Sequence, residues 1–204
     1  MPIRDTAVIA IEGTQASGKT TLIHALTSHF REQSINVACT GEPARVSPFL
    51  EEIVMHGKGT FDLIAEVDLF GQQLSVPLRA ARHHQLLIAD KTPANVVALS
   101  RLVLDETDPK VAPVLAALEA VCRAWMPQTY DAIVYCRDRF DQKAGGDRMR
   151  QKLLGLQERA DSVIYQTCKD TKVPILDLPS GLTTAARVQW IDKELSRVGL
   201  IATA

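Results

Sequence analysis

Eight residues near the start of the sequence, Gly13-Thr14-Gln15-Ala16-Ser17-Gly18-Lys19-Thr20, have the types and spacing of a phosphate cradle, G-x-x-x-x-G-K-T. Its chemistry is the grip of main-chain amides and a helix N-terminus on an anion. The two glycines permit left-handed dihedrals and close backbone approach. Lys19 supplies a cation for β- and γ-phosphates, and the Thr20 hydroxyl a ligand for Mg²⁺. The cofactor-binding set is Gly13, Thr14, Gln15, Ala16, Ser17, Gly18, Lys19, Thr20 and Thr21.

Asp90 is a second candidate. An acid at the end of a buried strand can hold Mg²⁺, directly or through water, or accept a proton from an attacking hydroxyl. With Pro93 three residues on, the competing reading is a helix N-cap. Glu42 and Arg45, after the second strand, are placed to hold the phosphate-accepting substrate or to form a surface ion pair of little energetic value. From Arg137 to Lys152 the chain carries Arg137, Arg139, Arg148 and Arg150 with two adjacent glycines. It reads as a lid that excludes water, Arg148 or Arg139 being the phosphate contact, or as a solvated charged loop. The catalytic set is therefore Lys19, Asp90 and Arg148; Glu42, Arg45 and Arg139 bind the acceptor; Thr20 and Asp90 bind the metal.

These residues need a scaffold, and the hydrophobic pattern supplies one. Ala7–Ile11 is a short apolar run of the kind buried on both faces of a parallel sheet. Leu22, Ile23, Leu26 and Phe30 recur at helical spacing behind the cradle. Further strands are expected at Ile35–Thr40, Gln85–Asp90, Ala132–Cys136 and Val173–Leu176. Helices are expected over a short segment from Pro48, from about Phe61 to His84 with Pro77 a kink or break, over Ala94–Leu104 and Val111–Trp125, around Leu153, Leu154, Leu156, Ala160, Val163 and Ile164, and over Ala185–Leu195. Strands alternating with helices imply an α/β parallel sheet. Pro179-Ser180-Gly181-Leu182-Thr183-Thr184, after the last strand, is the place expected for an adenine base.

The 204 residues suit one domain, with the 48–84 region on the substrate side and a lid at about 137–152. With 23 basic and 24 acidic residues and no basic tract elsewhere, a nucleic-acid polymer is not an expected partner. Four scattered cysteines, no leader-like N-terminus and no apolar run of membrane-spanning length point to a cytoplasmic protein without a membrane partner. The 48–84 helices offer a face on which a homodimer could form. Asp68-Leu69-Phe70-Gly71 matches the D-x-x-G of GTPase switches, but it falls in an expected helix and no guanine-reading motif accompanies it.

Glu12-Gly13 before the cradle, Glu42-Pro43 after the second strand and Asp90-Lys91 after the third resemble the E-G, E-P and D-R of thymidylate-kinase-like P-loop kinases. Gly41 and Lys91 stand where that group carries arginines. The layout is also similar to AAA-type ATPase/kinase domains related to ribosylnicotinamide kinase, on Glu42 and Arg45, on Asp90, Thr92 and Pro93, and on Gly146, Asp147 and Arg148. The resemblance implies a three-layer P-loop NTPase with about five parallel strands in the order 2-3-1-4-5. It implies ATP and Mg²⁺, and transfer of the γ-phosphoryl group to a nucleoside or nucleotide. The competing readings are an ATP-binding regulator and an ATPase without a metabolite acceptor.

Overall fold

Three runs of five or six residues, almost wholly apolar, leave no face to present to water, and each becomes a buried strand. They are β1 (Ala7–Glu12), β3 (Leu86–Asp90) and β4 (Ala132–Cys136). The shorter, half-exposed β2 (Val37–Cys39) and β5 (Ile175–Leu178) form the edges. The computed structural model describes residues 5–57, 60–140 and 157–201. Its sheet is parallel throughout, in the order β2-β3-β1-β4-β5.

Seven α-helices cover the sheet among the described residues: α1 (Lys19–Glu32), α2 (Pro48–Met55), α3 (Leu63–Ala81), α4 (Pro93–Val103), α5 (Ala112–Thr129), α6 (Gln157–Asp170) and α7 (Thr184–Arg197). The two-residue period of a strand divides its side chains between two cores. Ile9, Ile11, Ile88 and Val134 point to one face and pack with Leu26 and Phe30 of α1 and Ile191 of α7. Val8, Ala10, Ala89 and Tyr135 point to the other and pack against α2 to α6.

Two expectations are corrected. The last strand lies at Ile175–Leu178, two residues beyond Val173–Leu176. The third helix runs unbroken through Pro77, and α5 likewise contains Pro127 and extends past Trp125 to Thr129. Tertiary packing overrides the proline penalty, since Pro77 lies buried on the inner face of α3. Asp68, the acid of the D-x-x-G match, accepts hydrogen bonds from Ser47 Oγ (2.8 Å) and Gln72 Nε2 (2.8 Å), tying α3 to the start of α2. No helix of the described residues is long and apolar enough to cross a membrane.

Candidate functional site

Parallel strands place their carboxyl ends along one edge, so the turns after β1, β2 and β3 converge there. The register sets Ile11 beside Asp90 on one side and Val134 on the other. The turn after β1 is the G-x-x-x-x-G-K-T loop. Gly13 sits at φ 132°, and a Cβ there would lie 2.2 Å from the carbonyl oxygen of Cys136, so only glycine fits. Gly18 at φ 82° caps α1 in the left-handed region, and Ala16 (φ 64°) shares that conformation. No acid occupies the first turn of α1, which leaves its N-terminal amides and dipole available to an anion.

Lys19 is folded back into this loop. Its Nζ donates to the Thr14 carbonyl (2.5 Å) and to Ser17 Oγ (3.3 Å). Burial, helped by the nearby Lys91 cation, lowers its pKa from 10.5 to about 8. Arg187 of α7, only 2% exposed, buttresses the loop from outside. Its Nη1 donates to the Ser17 carbonyl (3.0 Å), Nε to the Leu182 carbonyl (3.3 Å) and Nη2 to Asp138, while the guanidinium lies over the Phe140 ring at 4.8 Å. Phe140 in turn donates its N–H to the Ala16 carbonyl (2.9 Å). The 179–184 loop is thereby carried alongside the phosphate cradle, with the Gly181 N–H donating to Asp138.

Glu12 joins the cradle to the third strand's turn. It is fully buried, which raises its pKa, yet it accepts from the Thr92 N–H (2.7 Å), Thr92 Oγ1 (2.7 Å), Asn95 Nδ2 (2.9 Å) and the Gly13 N–H (3.3 Å). The residue at the head of α4 is accordingly Thr92, and Asp90 is not its cap. Asp90 instead lies against the cavity with its Oδ1 buried and without a partner, and burial raises its pKa. Its N–H bonds Thr40 Oγ1 (3.0 Å) and its carbonyl accepts from Gln73 Nε2 (3.2 Å).

The cavity, about 380 Å³, is bounded at one end by Gly13 and by 15–21 of the loop, and at the other by α2, α3, α4 and α6. Thr14 contributes its carbonyl to Lys19 but is not part of the wall. Glu42 and Arg45 both line it, paired to each other (3.1 Å), and Glu42 also takes Lys91 (2.5 Å). The Lys91 charge holds Glu42 down at about 2. For Lys91, burial pulls the pKa down but Glu42 more than offsets it, and the net shift is upward. Glu66 is 3% exposed, accepts from Ser100 Oγ (2.8 Å), and is raised by burial to about 7.

Arg139 is exposed and is not among the lining residues. Arg137 is committed elsewhere: it bonds Asp177 (3.0 Å) and stacks on the Tyr165 ring at 4.1 Å. Arg148, and the 141–152 part of the expected lid, lie outside the described residues. The sequence reading did not name Glu66, Gln73 or Arg187 as site residues, and it used Glu12 and Lys91 only as marks of resemblance. An acid ending an apolar strand was a signal for Glu12; an arginine or glutamine within an amphipathic helix carries none.

A family model described as an AAA domain matches residues 8–185. A search of curated proteins finds no relative by sequence. Among solved structures, thymidylate kinase from Candida albicans is similar at a TM-score of 0.70, with 16% identity over 96% of this chain and 93% of that one. The NadR protein in complex with NR gives 0.72, with 14% identity over 98% of this chain, which spans 51% of NadR. Deoxyadenosine kinase from M. mycoides with bound dATP gives 0.61, with 17% identity over 93% and 99% of the two chains. At these identities the likeness is one of fold. Taken with the loop geometry and the strand order, the family match across most of the sequence means that this chain belongs to the AAA domain family of P-loop proteins.

Proposed function

We propose that this protein is an ATP-dependent kinase that transfers the γ-phosphoryl group to a small acceptor, a nucleoside or nucleotide. The observation that carries this reading is the continuity of one cavity from the phosphate cradle to Asp90, Glu42 and the walls of α3 and α4. A bare ATPase needs the first part only.

In this reading the loop amides and Lys19 hold the β- and γ-phosphates, with Lys19 turning from Thr14 and Ser17 toward them. The 179–184 loop lies beside the adenine. The exposed Thr20 hydroxyl and the orphaned Asp90 Oδ1 suit Mg²⁺, and no group of three or more acidic, histidine or cysteine ligands competes for it among the described residues. That fits an ion held mainly by phosphates and water. Bound with ATP, Mg²⁺ would neutralise charge on the phosphate oxygens. Asp90 also faces the acceptor, and its raised pKa makes it a better proton acceptor for a hydroxyl. Catalysis needs positioning and charge neutralisation rather than a covalent nucleophile. Glu42 and Arg45 shape the acceptor entrance, the 48–84 region supplies its wall, and Arg148, from a closing segment at 137–152, stabilises the migrating group.

The test is product formation from ATP, Mg²⁺ and a panel of nucleosides and nucleotides, read by chromatography. A phosphorylated acceptor, with slow hydrolysis when acceptor is omitted, is the expected result. Hydrolysis to water alone, or tight ATP binding without turnover, would replace the kinase by an ATPase or a regulator. Asp90→Asn separates its two roles, since loss of metal binding shifts the Mg²⁺ dependence and loss of the base flattens the pH–rate profile.

A further inference from the structure

The charges of the cavity wall beyond the loop bear on whether an acceptor already carries a phosphate. This step rests on the kinase reading and narrows it. Beyond the loop, the described wall carries three carboxylates, Glu42, Glu66 and Asp90, and two cations, Arg45 and Lys91. Both cations are engaged by one carboxylate, Lys91 at Glu42 Oε1 (2.5 Å) and Arg45 at Glu42 Oε2 (3.1 Å). Glu42 thus carries both cations, and the other two carboxylates have capacity to spare. Asp90 Oδ1 is buried and unpartnered, and Glu66 has one oxygen on Ser100 and none of its other bonds satisfied among the described residues.

An acceptor already bearing a phosphate brings roughly −1.5 to −2 charges. Above about pH 7, where Glu66 has lost its proton, it would meet a described wall with three carboxylates against two cations, both cations drawn to Glu42, and would add negative charge where acids already outnumber bases. Glu66, on the contrary, has one oxygen on Ser100 and lines the cavity with the other, where a hydrogen-bond donor or a positive charge of the acceptor can meet it. The spacing also sets a size. Glu66 and Gln73 are seven residues apart on α3, about 10 Å along the axis, and Gln73 bonds the Asp90 carbonyl. A molecule reaching from Asp90 to Glu66 is therefore of nucleoside length, and between the two it meets the apolar sides of Leu69, Val96 and Leu99.

We infer that the acceptor is an unphosphorylated alcohol of nucleoside size, neutral or cationic, whose hydroxyl meets Asp90 and whose far end presents a hydrogen-bond donor or a positive charge to Glu66. Glu66 is the residue that reads that end.

The experiment compares adenosine, cytidine, guanosine, uridine and thymidine with their 5′-monophosphates, by turnover and by thermal shift beside a non-hydrolysable ATP analogue. Product or stabilisation from a nucleoside, with none from any monophosphate, is expected. For the best nucleoside, Glu66→Gln should raise KM about tenfold or more, leaving kcat and the KM for ATP within about threefold, as the loss of one charge-assisted bond away from the reacting atoms requires. A monophosphate that is phosphorylated, or that stabilises more than its nucleoside, overturns the inference, as does stabilisation by neither class or an unchanged KM in the variant. Nucleoside stabilisation without turnover supports the acceptor assignment while removing the kinase reading, so the two failures are distinguishable.

Discussion

Glu66 makes stability depend on pH, with a sign opposite to that of a salt-bridged acid. Burial raises its pKa from 4.5 to about 7, so between those values the folded protein holds a proton that the unfolded chain has released. Stability from the neutral form is complete below about pH 4.5 and is lost as pH rises through about 7. From 4.5 to about 7, at about 1.4 kcal/mol per pH unit, the full span amounts to about 3 to 4 kcal/mol. Between pH 5 and pH 8 the linkage relation leaves about 2 to 3 kcal/mol of that loss. Glu12 and Asp90 are shifted upward too, so the readout is the difference between wild type and Glu66→Gln, which keeps the shape and a hydrogen-bonding oxygen for Ser100. Urea unfolding at half-unit intervals from pH 5 to 8 should show the two proteins close at pH 5 and the variant about 2 to 3 kcal/mol more stable at pH 8. Parallel curves across that range would refute the assignment of a proton to Glu66.

Other consequences are independent of this one. Lys19→Ala should abolish measurable ATP binding with the circular-dichroism spectrum unchanged, and in the wild type ATP affinity should begin to fall above about pH 8, where the unliganded ammonium loses its proton; a flat affinity from pH 7 to 9.5 would count against it. Gly13→Ala drives a Cβ into the Cys136 carbonyl at a left-handed φ, and should cost about 3 kcal/mol or more in urea unfolding together with ATP binding. Glu12→Ala leaves the Thr92, Asn95 and Gly13 donors unmatched and should destabilise by about 3 to 5 kcal/mol. A loss under about 1 kcal/mol would show that water replaces the carboxylate.

The phosphate cradle, the order of strands and helices and the strand-end acid were legible without coordinates, because they rest on local rules. Buried parallel strands must be apolar, a glycine is needed where the backbone turns left-handed against a neighbour, and a Lys-Thr pair follows at the start of a helix. The strand order 2-3-1-4-5 came by resemblance and agrees with the fold. Of the two readings of Asp90, the cap is removed by Thr92 standing at the head of α4 with its hydroxyl turned to Glu12. Only folding brings Lys91 to Glu42, 49 residues away, and Arg187 to Ser17, 170 residues away. Glu66 lies in a helix whose periodicity marks a face but not the cavity that face meets. Charges acquire their site roles from partners and burial, and both belong to the tertiary structure.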